Sequence, residues 1–174
     1  MKAAVALHTT VGPARTTDVA IAERAGVTRR TFYRHFPDDI ALFRACTSHV
    51  RDMWPAPSPA SWRRITDPAE RLAVALHDVY AFYRIAGRGL VVIMRDAPLL
   101  RAELLPTPSR ADQMRAMNEA LLDGWGLRGR RRAILRAAIA HATSVVTWQS
   151  LVDQQGLSEE EAVGLLTAMV LSRS

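Results

Sequence analysis

Residues 16–36 combine two short helical segments and a glycine turn, and this stretch constrains the fold more than any other part of the chain. Its sequence is TTDVAIAERAGVTRRTFYRHF. Thr17 is a favourable N-cap, and the carboxylate of Asp18 suits the positive end of a helix dipole. Gly26 can adopt the left-handed backbone that ends a helix, and Thr28 can cap the next one. The spacing predicts a helix-turn-helix.

The second of these helices is basic and rich in hydroxyl groups. Phe32 and Phe36 are predicted to point back into the core. A helix exposed only to water usually mixes both signs of charge, but the outward side chains here include no acid. Those side chains are Arg29, Arg30, Thr31, Tyr33, Arg34 and His35. The pattern predicts a recognition helix that enters the major groove of DNA.

The positive charge of the chain is concentrated around this motif. The 174 residues carry a formal net charge of +6, and nearly all basic groups are arginines because Lys2 is the only lysine. Residues 1–51 contain eight basic and four acidic side chains, whereas residues 52–174 contain fifteen and thirteen. This excess is expected if the N-terminal third meets an anionic polymer. Charge alone leaves a solvated basic surface as the other interpretation.

The rest of the chain is predicted to be helical. Pro37 is suited to the first turn of a fourth helix that ends near Met53. The next segment, WPAPSPASW, contains three prolines and predicts a break. No alternation typical of a strand occurs anywhere. The sequence therefore predicts an all-α fold, in which an N-terminal three-helix domain is followed by a larger helical domain.

The middle of the chain is predicted to contain one substantial helix followed by shorter pieces. Asp67 is an N-cap followed by proline, which predicts a helix from there to about Ala86. Gly87 and Gly89 are predicted to end that helix. Further interruptions are predicted at Pro98, Pro106 and Pro108.

The last two predicted helices carry more apolar surface than a C-terminal pair needs for itself. One runs from about Arg128 to Gln155, and Ser158 with Glu161 forms a capping box for the other. Apolar positions on the first recur at spacings of four and three, as in helices that pack on a partner. They are Ile134, Ala138, His141, Val145, Trp148 and Val152. We expect two copies of the chain to form a four-helix bundle, and closure of a monomer core is the alternative.

Several classes of protein are disfavoured by the sequence. The five histidines show no metal-ligand spacing and no nucleophile motif is present, so we expect no enzyme activity, metal or cofactor. The single cysteine, Cys46, excludes an internal disulfide, and its apolar helical surroundings favour burial over redox sensing. The longest apolar run, Gly89 to Met94, is too short to cross a bilayer, and the N-terminus lacks signal-peptide features. A cytoplasmic protein is expected.

The residues from Thr16 onwards resemble a known family. TTDVAIAERAGVTRRTFYRHFPDDIALF closely resembles the N-terminal DNA-binding domain of the TetR family of bacterial transcriptional regulators. The resemblance covers most of residues 3–46. Three later phrases, DPAERL, YAFYR and QGLSEEEAV, resemble the helical domain of the same family. The resemblance implies a DNA-binding domain at residues 1–46 and an effector-binding and dimerisation domain at residues 47–174.

The family resemblance also implies a function. It implies a homodimer, usually a repressor, that binds a palindromic operator in double-stranded DNA and releases it when a small molecule enters the C-terminal domain. Thr17 matches the residue whose hydroxyl and backbone amide meet a phosphate. Six residues match the recognition helix, namely Thr28, Arg29, Arg30, Thr31, Tyr33 and His35.

The chemistry of these side chains predicts different roles for them. Arginine can donate two hydrogen bonds to the edge of a guanine. Arg29 and Arg30 are therefore predicted to read bases or bind an adjacent phosphate, with Arg30 as the more specific reader. Tyr33 and His35 are predicted to bind phosphates, which position the protein without specifying sequence.

Two departures from the family pattern affect the expected DNA contacts. Family members usually have a lysine at the position of Asp39, where it reaches a phosphate. Here the residue is acidic, and its charge and that of Asp38 would repel DNA. The first helix also begins late, so either it is short or the native start lies upstream of Met1. These departures leave open a second function, a dimeric module that binds a small molecule or a protein and has weakened DNA binding.

An effector pocket in the C-terminal part is expected to be mostly apolar with a few polar groups. The candidate ligand-binding residues are Tyr80, Tyr83, Met94, Met117, His141, Thr147 and Trp148. Core packing is the alternative role for each of them. A ligand would favour a conformation in which two recognition helices no longer match successive major grooves, which are about 34–36 Å apart.

Overall fold

A computed structural model describes residues 1–105 and 110–172, and within these ranges the protein is all-α without a strand. This confirms the predicted fold class. The α-helices are α1 (Lys2–Thr10), α2 (Asp18–Ala25), α3 (Arg29–His35), α4 (Asp39–Met53), α5 (Pro59–Trp62), α6 (Pro68–Asp96), α7 (Arg110–Leu121), α8 (Gly129–Ala142), α9 (Val145–Trp148) and α10 (Glu159–Leu171). Short 3₁₀ turns occupy Pro13–Arg15, Ala97–Leu99 and Ala102–Leu104, and a π-helix occupies Gln149–Gln154. No helix in the described ranges combines the length and the hydropathy that a membrane span requires.

The described residues form two compact units. Residues 1–55 and 88–105 belong to the first unit, and residues 56–87 and 110–172 belong to the second. Helix α6 therefore contributes residues to both units. The core of the first unit consists of Ala4, Val5, Ile21, Ala22, Phe32, Leu42 and Cys46. Cys46 is thus buried, as predicted, and burial raises the pKa of its thiol to about 11.

The ends of α2 and α3 confirm the boundaries that the sequence predicts. The Thr17 hydroxyl oxygen accepts a hydrogen bond of 3.2 Å from the backbone N–H of Ala20. Gly26 ends α2 with a φ of 67°, in the left-handed region that favours glycine. The Thr28 hydroxyl oxygen caps α3 by accepting from the backbone N–H of Thr31 at 3.2 Å. Local side-chain chemistry therefore determines the geometry of this turn.

The predicted start of the fourth helix is wrong. Pro37 lies outside α4, which begins at Asp39. The reason is that Asp38 caps the helix, since its Oδ1 accepts a hydrogen bond of 2.7 Å from the backbone N–H of Ala41. A carboxylate at the N-cap satisfies a free donor and also interacts favourably with the helix dipole.

The predicted end of the sixth helix is also wrong, because α6 continues through Gly87 and Gly89 to Asp96. Both glycines allow bulky side chains to approach the helix backbone. A Cβ atom at Gly87 would lie 2.6 Å from the Trp148 ring in the second unit. In the first unit, a Cβ atom at Gly89 would lie 3.0 Å from the Trp54 ring. Tertiary packing thus overrides the weak helix propensity of glycine.

The long helix predicted over residues 128–155 is interrupted. Helix α8 ends at Ala142, and the Thr143 hydroxyl donates to Asn118 Oδ1 at 2.8 Å. The Ser144 hydroxyl oxygen then caps α9 by accepting from the backbone N–H of Val146. The capping box predicted at Ser158 is confirmed. The predicted interruptions at Pro106 and Pro108 lie outside the described residues.

The second unit has a larger core, to which α6, α7, α8 and α10 contribute. Its fully buried side chains include Leu72, Leu76, Tyr80, Tyr83, Leu121, Leu135, Ile139 and Leu166. Trp62 of α5 is completely buried, and its indole N–H donates to the Asp78 carboxylate at 2.7 Å. This bond satisfies a polar group that would otherwise be buried without a partner.

Candidate nucleic-acid interface

Helix α3 is fixed in the first unit by Phe32. This side chain is buried in the core, and its ring centroid lies 5.4 Å from that of Phe36. The Tyr33 ring packs edge-on against Phe32 at the same centroid distance. Helix α3 has seven residues, and one of its faces packs in the core. The opposite face must therefore point away from the core. The outer face of α3 is therefore determined by its packing.

The side chains predicted to bind DNA lie on that outer face. Of these residues, Thr28, Arg29, Arg30, Tyr33 and His35 are exposed, and Thr31 is half-buried. Arg34, which was predicted only to face outward, is exposed as well. The Thr28 hydroxyl donates to Thr31 Oγ1 at 3.1 Å, so this pair is ordered at the first turn of α3. The helix presents three arginines and a histidine without an acid of its own. This surface has the charge and the hydrogen-bond donors that a phosphate backbone and base edges require.

Thr17 lies at the N-terminus of α2, where it is exposed. The free N–H groups of a helix N-terminus and the helix dipole favour an anion. The geometry is thus compatible with the phosphate contact that the resemblance implies for Thr17.

The turn that precedes α2 is attached to the end of α6 by a buried carboxylate. Asp96 is completely buried, and its Oδ2 accepts a hydrogen bond of 3.1 Å from the backbone N–H of Ala14. Arg95 donates from Nε to Asp96 Oδ1 at 2.7 Å and from Nη2 to the Val11 carbonyl oxygen at 2.8 Å. The hydrogen bond from Arg95 holds the pKa of Asp96 below its ordinary value. These bonds position α2 relative to the end of α6, and the sequence contained no local signal for them.

The two acids after α3 both have partners within the protein. Asp38 caps α4, and Asp39 Oδ2 lies 2.9 Å from Nη2 of Arg101. Arg101 is 62 residues away along the chain, so a sequence pattern could not have connected the pair. The repulsion of DNA that was expected from Asp39 is consequently reduced by a cation at the start of α4.

Five of the predicted effector residues are buried in the second unit. These are Tyr80, Tyr83, Met117, Thr147 and Trp148. The Tyr83 ring centroid lies 6.3 Å from that of Tyr80 and 6.1 Å from that of Trp148. The Tyr80 hydroxyl donates to the Ala142 carbonyl oxygen at 3.3 Å, and burial raises the Tyr80 pKa well above its ordinary value. These aromatic rings form one cluster around the end of α8.

The remaining predicted effector residues do not join this cluster. His141 is exposed at the end of α8, where its carbonyl oxygen accepts a hydrogen bond of 2.7 Å from the Thr147 hydroxyl. Met94 is exposed and belongs to the first unit. Within the cluster, the Trp148 indole N–H is buried and has no hydrogen-bond partner among the described residues. A buried donor without an acceptor costs about 1–3 kcal/mol.

Comparison with known proteins assigns the N-terminal region. Residues 1–46 match the family model described as bacterial regulatory proteins, tetR family. No curated protein matches the chain. The matched residues include α1, α2, α3 and the beginning of α4, which together carry the surface described above. Residues 1–46 are therefore similar to the N-terminal domain of tetR-family regulatory proteins, and this similarity supports a DNA-binding transcriptional regulator.

Proposed function

We propose that the protein is a ligand-responsive repressor that acts in the cytoplasm as a homodimer on a palindromic operator. We assign DNA binding to residues 1–46 and effector binding and dimerisation to residues 47–174. The outer face of α3 carries the proposal, because its exposed side chains are basic or hydroxyl-bearing while Phe32 fixes the helix from behind. Such a face is suited to a major groove.

The residues of this face divide into base readers and phosphate binders. We assign Arg29 and Arg30 to base edges or an adjacent phosphate, and Arg30 is the reader expected to specify sequence. Thr17, Tyr33 and His35 are assigned to phosphates, while Thr28 and Thr31 line the start of the helix.

Binding to DNA is tested by titrating the protein against the duplex that flanks its own gene, with a shuffled duplex of equal length as the control. We expect binding that weakens with salt and prefers the flanking sequence. Absence of salt-dependent, sequence-preferring binding would contradict the regulator function.

Dimerisation is supported by an apolar groove in the second unit. The groove has a volume of about 240 Å³ and lies between α8 and α10. Its lining residues are Ile134, Ala138, His141, Ala142, Leu166, Met169 and Val170. Ile134, Met169 and the neighbouring Leu165 are exposed, although large apolar side chains are usually covered when they cluster. A second copy related by a two-fold axis would cover them and would give the operator its palindromic form.

Effector binding is supported by the unpartnered indole N–H of Trp148 beside Tyr83. We expect a largely apolar ligand with one hydrogen-bond acceptor, such as a carbonyl or ether oxygen, that satisfies this donor. A library of such compounds can be screened for a rise in the melting temperature of the protein. A true effector must also weaken operator binding, and Trp148→Phe must lower its affinity.

The alternative function, a dimeric binding module with weakened DNA affinity, depends on the acidic start of α4 and on the late start of the first helix. The ion pair between Asp39 and Arg101 weakens the first of these reasons. We therefore favour the repressor.

A further inference from the structure

Asp39 is close to the edge of the groove that α3 would enter. It is the first residue of α4 and follows His35, the last residue of α3, by four positions. Four residues span at most about 14 Å, which is comparable to the major-groove width of about 12 Å. With α3 in the groove, the start of α4 must lie near one of the bordering phosphate backbones. A free carboxylate there would be repelled by the phosphates.

Arg101 is held against this carboxylate by two features of the first unit. Its Nη2 lies 2.9 Å from Asp39 Oδ2. The adjacent 3₁₀ turn Ala102–Leu104 packs on α4, and Leu104 is buried. The Arg101 side chain nevertheless remains 66% exposed. A guanidinium has five N–H donors, so the bond to Asp39 leaves others free to face solvent.

We propose that Arg101 belongs to the DNA-binding surface and that its guanidinium, positioned by Asp39, donates a hydrogen bond to a phosphate oxygen at the edge of the groove. The inference rests on the DNA-binding function proposed above. Asp39 is then a positioning residue, and the surface includes a contact from outside residues 1–46. The neighbouring Asp38 has a different role, since its Oδ1 caps α4.

A phosphate contact can be tested with random-sequence DNA because it does not depend on the operator. The probe is a labelled duplex of about 30 base pairs, and its affinity for the full chain is measured by fluorescence anisotropy between about 0.05 and 0.3 M NaCl. In Arg101→Ala, the slope of log affinity against log salt should fall by about 0.9 for each bound protomer. A slope that is lower by about 0.9, extrapolated from about 1 M salt, corresponds to binding that is about eightfold weaker near 0.1 M salt for each protomer.

Matched variants show whether the salt dependence of DNA binding requires a positive charge at position 101. Arg101→Lys should keep the wild-type slope, because a cation remains. Arg51→Ala removes an exposed arginine from the other end of α4, about 18 Å from Asp39, and should leave the slope unchanged. Arg101→Gln, which keeps a long polar side chain, provides a second neutral variant if alanine perturbs the turn. An unchanged slope in a folded neutral variant would overturn the proposal.

A double variant separates a phosphate contact from simple masking of Asp39. If Arg101 only neutralises that carboxylate, Arg101→Ala combined with Asp39→Asn should bind like the wild type, and this result would overturn the proposal. A direct contact predicts that the slope stays low in the double variant. The failure of DNA binding itself would look different, because the wild type would then bind no duplex in a salt-dependent manner.

Discussion

The guanidinium of Arg71 is buried in the second unit and donates from Nη1 to the Asp123 carbonyl oxygen at 2.8 Å. The same side chain donates from Nε and Nη2 to the Ile65 carbonyl oxygen at 2.9 and 2.7 Å. One arginine near the start of α6 therefore links the loop before that helix to the end of α7. Removing it would leave several buried carbonyl oxygens without a donor.

We expect Arg71→Met to lower the free energy of unfolding by about 2–4 kcal/mol, because methionine fills part of the space but donates no hydrogen bond. Urea denaturation followed by circular dichroism measures the change. Arg64→Met is the control, since Arg64 is exposed and its replacement should change stability by less than about 0.5 kcal/mol. If both variants lost a similar free energy of unfolding, the hydrogen bonds of Arg71 would contribute no more to stability than an exposed arginine does.

We expect Arg30→Ala and Tyr33→Ala to affect DNA binding in different ways. Loss of a base contact should cost about 1–3 kcal/mol on the operator and little on random DNA. Loss of a phosphate contact at Tyr33 should weaken binding to both duplexes equally. Titration of each variant against operator and shuffled duplex gives the comparison. An equal loss on both duplexes in the Arg30 variant would exclude it as a base reader.

We expect the stability of the first unit to fall at acidic pH because of His8. The side chain is buried, stacks on Phe43 at a centroid distance of 5.3 Å, and has a pKa lowered by burial. The unfolded chain binds the proton more readily, with a pKa of about 6.5. Stability from this group is therefore present above about pH 6.5 and is lost as the pH falls below that value.

The pH dependence is measured by urea denaturation at a series of pH values. His8→Leu should show a smaller loss of stability between about pH 6.5 and 5 than the wild type. His77→Leu, at an exposed position, should retain the wild-type dependence. If the free energy of unfolding depended on pH equally in the wild type and in His8→Leu, His8 would not be the source of the pH dependence.

We expect Gly87→Ala to destabilise the protein, although alanine favours helices. The added methyl group would lie 2.6 Å from the Trp148 ring, and relief of this overlap should cost about 1–3 kcal/mol. Gly164→Ala is the matched control in α10, where a Cβ atom meets nothing within 4 Å. That change should stabilise the protein by about 0.5–1 kcal/mol. Thermal unfolding of both variants checks this prediction, because the melting temperature should fall in Gly87→Ala and rise in Gly164→Ala.

We expect Met169→Glu to convert the proposed dimer into a monomer. Met169 lines the groove between α8 and α10 and is 50% exposed, so a carboxylate there would be buried without a partner in the dimer. Light scattering coupled to size exclusion measures the mass. Leu99→Glu introduces the same charge at a 71% exposed apolar residue of the first unit and should leave the mass unchanged. A monomeric wild type would contradict the proposed dimer directly.

The sequence predicts those parts of the structure that depend on neighbouring residues. Thr17, Gly26 and Thr28 define the helix-turn-helix because capping acts over three or four positions. The helix end predicted at Gly87 is wrong, because the residue that packs there is Trp148, which is distant in the chain. The same limit applies to the candidate site. The outer residues of α3 could be predicted from their order, but the partner of Asp39 could not.

The buried thiol of Cys46 can be used to detect transient opening of the first unit. It is the single cysteine of the chain, it belongs to the core of the first unit, and its pKa of about 11 keeps it protonated near neutral pH. A thiol reagent reacts with the thiolate and needs access to it. Reaction at neutral pH therefore requires the first unit to open transiently. The labelling rate in the presence and absence of DNA would measure how far DNA suppresses those openings, without an introduced probe.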